Sequence, residues 1–150
     1  MAATRKYCLV TGCSEGGSGA ALAEAFNHAG YHVFATARTP SKVPRTLHEA
    51  SNVTVLALDV SSSESIALAA KVIGGQTEGR LDVLINNAGH GLKMPALDTS
   101  ISEAKRLFDS NFFGVLEMMQ VFSHMLVKAK GVVVNNASMG GVHPFPFIST

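Results

Sequence analysis

Short apolar runs alternate with longer stretches of helical spacing along the whole chain, and this alternation restricts the fold more than any other feature. The runs are Tyr7–Val10, His32–Ala37, 53–58, 81–85 and 132–134. Each is predominantly apolar, interrupted only by His32, Thr36, Thr54 and Asp82, rather than alternating with polar residues, the pattern of a strand buried on both faces. Between them, 19–29 puts Leu22, Ala25, Phe26 and Ala29 on one helical face, and Gly30 stops it. The segment 41–50 reads as a short helix in which Pro44 is tolerated only near the first turn. Ser61-Ser62-Ser63-Glu64 has the form of a capping box, followed by Ile66, Ala69, Ala70 and Ile73 at helical spacing, with Gly74-Gly75 as the expected stop. A long helical region is expected over 102–128. The fold class is therefore α/β: a parallel sheet covered on both faces, doubly wound because crossovers are right-handed. A ligand in such a fold sits outside the carboxyl ends of the strands, where the strand order switches.

Composition excludes several alternatives. The chain of 150 residues is 47% hydrophobic and only 15% charged, against about 25% charged in an average domain, so it reads as one core-rich domain. A net charge of +1 gives no reason to expect a nucleic acid as partner. No apolar run approaches the roughly 20 residues of a membrane span, and the N-terminal run is too short for a signal-peptide core. Cys8 and Cys13 form no Cys-x-x-Cys and allow at most one bridge, so a reduced intracellular compartment is the simpler reading. The histidines are scattered without ligand spacing, and no metal is expected. No Gly-x-Ser-x-Gly elbow accompanies Ser138, so a hydrolase lacks support.

The first strand runs into Thr11-Gly-Cys-Ser-Glu-Gly-Gly-Ser-Gly19. Glycines let the backbone turn tightly and approach a pyrophosphate, and the next helix offers free N–H groups to it. Gly12, Ser14, Gly17, Ser18 and Gly19 are the candidates here. The strict Gly-x-Gly-x-x-Gly spacing fails, because Leu22 stands at the third glycine. Arg38 closes the second strand; an acid near this point would bind the ribose 2′-hydroxyl of NAD, whereas an arginine accommodates the 2′-phosphate of NADP. NADP(H) is accordingly the expected cofactor, with Lys42 adding to the field and a solvated surface arginine as the competing reading. Asp59 follows the third strand, where a plain helix-entry role competes with a cofactor contact. The fourth strand ends in Asn86-Asn87-Ala88-Gly89, Asn111 interrupts the long helical region, and Ser138 lies just past the fifth strand. For Asn111 and Ser138 the competing readings are a helix-surface asparagine and a strand-capping serine.

Together these segments resemble the short-chain dehydrogenase/reductase family. The loop resembles its Thr-Gly-x-x-x-Gly-x-Gly motif with one extra residue, and Leu81-Asp-Val-Leu-Ile-Asn-Asn-Ala-Gly89 matches it almost residue by residue. Ala137 before Ser138, and Ser18 between glycines, depart from its usual pattern. Thr11-Gly-Cys-Ser, Ala35-Thr-Ala-Arg38 and Pro144-Phe-Pro-Phe147 look most like fungal NADPH-dependent 1-acyldihydroxyacetone-phosphate reductases, and related hydroxysteroid dehydrogenases are similar. The resemblance implies a Rossmann-like fold and hydride transfer between NADP(H) and a ketone or alcohol, on a lipid-like small molecule. It implies Asp59 beside the adenine, Asn87, Ala88 and Gly89 against the cofactor, Asn111 holding a water of a proton relay, and Ser138 hydrogen-bonded to the substrate oxygen. It further implies a homo-oligomer packed through the helix over 112–128, and a cytoplasmic protein associated with endoplasmic reticulum or lipid droplets.

The family's acid–base pair is a tyrosine with a lysine four residues on. Only Tyr7 and Tyr31 exist here, and neither has that lysine. The resemblance puts the tyrosine roughly a dozen residues after Ser138, just past Thr150. Residues 1–150 are therefore expected to be a Rossmann domain incomplete at its C-terminus, inactive alone, with the fifth strand as an unpaired edge and the 112–128 helix short of a cover. Two competing expectations stand beside this one: a non-catalytic dinucleotide-binding protein or redox sensor without the pair, and a fragment with no independent role.

Overall fold

The computed structural model describes residues 5–143; the Pro144–Phe147 segment lies outside them. Five strands pair in parallel throughout, in the order β3-β2-β1-β4-β5. They are β1 (Tyr7–Val10), β2 (His32–Ala37), β3 (Val53–Ala57), β4 (Val83–Asn86) and β5 (Val132–Asn135). The helices between them are α1 (Ser18–His28), α2 (Arg45–Glu49), α3 (Ser63–Thr77), α4 (Ile101–Phe108) and α5 (Gly114–Ala129). The expected Rossmann-like sheet is present. Its order reverses at β1, which pairs with β2 on one side and β4 on the other.

Side chains of consecutive strand residues point to opposite faces, so a continuously apolar strand feeds two cores. Leu9, Phe34 and Leu84 meet Ile66 and Ile73 of α3 and Met118 and Phe122 of α5 on one face. Cys8, Val10, Val33, Ala35 and Ile85 meet Ala20 and Ala23 of α1 and Leu47 of α2 on the other. Cys8 and Cys13 are free and buried, and burial pushes both thiols up to about 12. They carry essentially no thiolate near neutral pH. β5 forms an edge among the described residues, and Val132, Val133 and Val134 are exposed.

Several boundaries differ from those expected, each for a local reason. The 41–50 segment splits at Val43-Pro44 into a 3₁₀ turn over Pro40–Lys42 and the short α2, because Pro44 lacks the N–H a continuous helix needs. The cap of α3 is Ser62 rather than Ser61: the Ser62 hydroxyl accepts from the Ser65 N–H at 3.2 Å, while Ser61 is engaged by Asp59. The region over 102–128 is three segments, with a π turn at Asp109–Phe113 between α4 and α5. In α5, Met118, Phe122, Met125 and Leu126 are buried while Leu116 and Val127 are exposed, so apolar residues do lie on two sides.

Gly74-Gly75 does not end α3; the helix runs to Thr77, and Glu78 caps it in the left-handed region at φ 54°. Two glycines cost about 1 kcal/mol each in a helix interior, but Ile73 before them and Thr77 after them are both anchored in the core. Gly74 also makes room for α5, since a Cβ there would lie 3.0 Å from Met125 Cε, whereas one on Gly75 would meet nothing within 4 Å. Gly75→Ala is therefore expected to raise the unfolding free energy by about 0.5–1 kcal/mol, and Gly74→Ala by less. Chemical denaturation of the two variants checks this; no gain at Gly75 would contradict a helix through that position.

Candidate functional site

The carboxyl ends of β1 and β4 meet at the reversal of strand order, and one threonine joins them. Thr11 is 1% exposed. Its hydroxyl donates to the Ile85 carbonyl at 3.3 Å and accepts from the N–H groups of Asn87 and Ala88, both at 2.9 Å. The Thr11 N–H adds a bond to the same Ile85 carbonyl at 3.0 Å. The turn after β1 and the turn after β4 are thereby fixed against each other.

Glycine is required where these turns touch. Gly12 sits at φ 75°, and a Cβ on it would lie 2.8 Å from the Ala88 Cα. A Cβ on Gly19 would run into the Gly12 carbonyl and the Asn87 amide nitrogen. Gly19 thus backs the loop from within the first turn of α1, behind the cavity wall.

In front of the loop opens a cavity of about 850 Å³, lined by Gly12, Ser14, Gly17 and Ser18 on one side and Asn87, Ala88 and Gly89 on another. Arg38, Thr39 and Lys42 line it beyond the end of β2. Arg38 is exposed, and among the described residues no carboxylate pairs with it. Asp59 lines the cavity beyond β3 and also serves the helix entry: its Oδ1 accepts from the Ser61 hydroxyl at 2.7 Å and the Ser61 N–H at 3.0 Å. Partial burial pushes the Asp59 carboxyl up, but the two Ser61 bonds and the Arg38 charge outweigh it, and the net shift is downward. The helix-entry role of Asp59 is thus seen directly, and the same residue lines the cavity.

A second cavity, of about 510 Å³, shares the Asn87–His90 wall and is lined by Asn111 and Ser138. The Asn111 side chain is clamped to one peptide: its Nδ2 donates to the His90 carbonyl at 2.8 Å, and its Oδ1 accepts from the His90 N–H at 3.1 Å. It sits in the π turn, the break that presents this asparagine sideways from an otherwise continuous helix. The Ser138 hydroxyl accepts from the Gly140 N–H at 3.1 Å, a local cap that leaves its own proton free to donate. Tyr7 and Tyr31 begin or precede β1 and β2 at the amino ends of the sheet, and neither lines either of these two cavities.

All the expected positions thus converge on the two cavities, Gly19 from behind. Sequence reasoning left unassigned Thr11, His90, Ser110, Arg106 and Asn136. His90 Nδ1 lies 3.1 Å from the Ser110 hydroxyl, and both line the first cavity with Arg106. Asn136 repeats, with Asn135 and Ala137, the Asn86-Asn87-Ala88 triplet, and that echo was the available signal.

A family profile described as short chain dehydrogenase matches residues 6–150. The chain belongs to the short-chain dehydrogenase family. The short-chain dehydrogenase PC-15 of Penicillium crustosum is 44% identical over 131 residues, covering 87% of this chain and 48% of that one. The NADPH-dependent 1-acyldihydroxyacetone phosphate reductase of Schizosaccharomyces pombe is 39% identical over 142 residues, covering 95% and 47%. The crystal structure of a metagenomic short-chain oxidoreductase in complex with NADP is 30% identical with a TM-score of 0.87, covering 96% of this chain and 67% of that one. The chain spans about half the length of the curated relatives it matches. Among the described residues, no helix is long and apolar enough to cross a membrane, and no group of three or more His, Cys, Asp or Glu could hold a metal ion.

Removing the Thr11 hydroxyl leaves two backbone N–H groups without their acceptor. Thr11→Val is expected to cost about 2 kcal/mol of stability, and Thr11→Ser to retain most of it. Urea unfolding of both variants checks this; equal losses would show that the methyl group, not the hydroxyl, matters.

Proposed function

We propose that this chain is the NADP(H)-binding part of a carbonyl reductase that acts on a lipid-like ketone or the corresponding alcohol. The observation that carries the reading is the pair of cavities with a common Asn87–His90 wall: one is cradled by the glycine loop and Arg38, the other holds Asn111 and Ser138.

The residues fit the cofactor. The turn after β1 and the N-terminus of α1 offer backbone N–H groups to a pyrophosphate, and Gly12 and Gly17 keep side chains out of its way. Arg38, which forms no salt bridge among the described residues although its charge is felt by Asp59, is available to a 2′-phosphate, and Lys42 adds a second cation to the same wall. Asp59, ionised at neutral pH, accepts hydrogen bonds at the far end, beside the place the adenine would take. When bound, the nicotinamide supplies hydride chemistry. On the other side of the shared wall the free proton of Ser138 is placed to donate to a carbonyl oxygen. Asn111, clamped to the His90 peptide, is rigid enough to order a water beside it. The similarity to the fungal acyl-dihydroxyacetone-phosphate reductase supports a lipid-like substrate, and the exposed apolar side of α5 supports a homo-oligomer packed through it.

In a second reading the chain is a dinucleotide-binding protein without catalysis; Tyr7 and Tyr31 line neither of the two cavities. The two readings share the cofactor and differ in proton transfer.

NADPH is expected to bind this chain more tightly than NADH, and Arg38→Asp to reverse the order by about tenfold or more, the worth of a charge-assisted contact. Fluorescence titration gives both constants; equal values in the unmodified chain would overturn the assignment of Arg38. The 150-residue chain, lacking a phenol at the site, is expected to oxidise no NADPH with a panel of carbonyl compounds. Rapid carbonyl-dependent loss of absorbance at the reduced-nicotinamide band would refute that.

A further inference from the structure

The triplets Asn86-Asn87-Ala88 and Asn135-Asn136-Ala137 lie side by side, because β4 and β5 pair with Asn86 opposite Asn135. The neighbouring amides bond on two successive rungs. Asn86 Nδ2 donates to Asn135 Oδ1 at 2.8 Å, and Asn136 Nδ2 donates to Asn87 Oδ1 at 2.9 Å. The backbone continues the pairing, with the Asn136 N–H on the Asn86 carbonyl at 2.9 Å.

Asn87 is the junction. Its Oδ1 accepts a second bond, from the Ser18 hydroxyl at 2.8 Å. Its Nδ2 donates to the carbonyls of Thr11 at 2.8 Å and Gly12 at 3.2 Å. A side-chain amide has two N–H donors and two lone pairs on oxygen, so every hydrogen-bonding position of Asn87 is filled. The four partners come from three separate places: the turn after β1, the first residue of α1, and the end of β5. The first two form the wall of the larger cavity, and the third leads within two residues to Ser138 in the smaller one.

We propose that Ser18 and Asn136 are positioning residues of the dinucleotide site. Both act through the Asn87 amide, so that the turn meant for the cofactor phosphates and the strand end bearing Ser138 hold each other in place. Loss of either donor frees the amide to rotate away from the Thr11 and Gly12 carbonyls, and with them the plane of the turn. Once one donor is gone, the other has little left to fix. This inference rests on the reading of the larger cavity as an NADP(H) site.

The test is a double-mutant cycle on NADPH binding, by fluorescence titration of the chain, with thermal unfolding run in parallel. Asn136→Val and Ser18→Ala are each expected to weaken NADPH about fivefold, what one net hydrogen bond contributes. The double variant is expected to weaken it by much less than the product of the two. Ser18→Thr, which keeps the hydroxyl, is expected to bind as the unmodified chain does. Unchanged NADPH affinity in the single variants, with only a lower melting temperature, overturns the proposal, as does a double variant that reaches the full product. If Asn136→Val does not fold, the Ser18→Ala and Ser18→Thr pair still decides: equal affinities in those two overturn it. An unmodified chain that does not bind NADPH overturns the cofactor reading itself and this inference with it, a result distinct from a bound cofactor that is indifferent to Ser18 and Asn136.

Discussion

The three hydrogen bonds of the Thr11 hydroxyl are the constraint on which the rest of the site depends. A doubly wound sheet leaves a gap where its strand order reverses, because the connections from the two central strands lead away to opposite faces. That gap is a binding crevice only if the two strand ends are held at a fixed separation. Here a buried hydroxyl uses its one proton and both lone pairs to do so, taking the Ile85 carbonyl and the N–H groups of Asn87 and Ala88. A longer side chain would force the ends apart, and an apolar one would strand two backbone donors away from water. The closeness of Gly12 to Ala88, and of Gly19 to the Gly12 carbonyl, follows from that splice. The glycines are the steric consequence of a hydrogen-bonded junction as much as an accommodation of a ligand.

The cores on the two faces explain why this junction is rigid. Each central strand gives alternate residues to opposite helical layers, and Leu9, Val10, Phe34 and Ile85 are essentially inaccessible to solvent. The strands cannot shift along one another without moving side chains out of close-packed surroundings on both faces. The strand ends inherit that rigidity and pass it to side chains just beyond them: Thr11, Arg38, Asp59, Asn87 and Ser138 all follow strands. The helical contribution is different in kind. Asn111 lies in a π turn between α4 and α5, where the broken ladder of backbone bonds lets its side chain reach across to the His90 peptide.

How much of this was legible in the sequence depended on the range of the interaction involved. The strands were legible because burial on two faces leaves an apolar run, and the strand ends drew attention to Arg38 and Asp59; the roles of Asn87 and Ser138 came from the family resemblance, and Thr11, directly after β1, was passed over. The Arg38 reading followed from a strand end and a charge. What stayed hidden depended on partners distant in sequence. Gly74-Gly75 reads as a helix stop by local propensity, yet anchoring of Ile73 and Thr77 in the core and the space needed by Met125 carry α3 through it. Ser61 reads as the cap, yet Asp59 engages it and Ser62 takes the role. The π turn at Asp109–Phe113 has no sequence marker beyond an asparagine in an apolar helix. The four-way bonding of Asn87 required β5 to lie beside β4 in a particular register, which no local pattern specifies.

That register also bears on how binding and reaction could be joined in one small site. If the two cavities hold cofactor and substrate as proposed, the wall between them must be stiff enough to keep a donor and an acceptor carbon at a fixed separation, because misplacement of about 1 Å is costly to transfer between them. Here the wall is the segment from Asn87 to His90, which lines both cavities and touches the core only through Ala88. It is held instead from its ends and its back. Thr11 takes its first two N–H groups, the Asn87 amide ties it to the β1 turn and to β5, and Asn111 grips the His90 peptide from both polar sides. A strip of chain with little core packing is thus held mainly through hydrogen bonds to its polar groups. Asparagine suits this task because a short amide offers donors and acceptors together without the entropy of a long side chain. Asparagine accordingly recurs at 86, 87, 111, 135 and 136 along the smaller cavity, with Asn87 shared by both cavities.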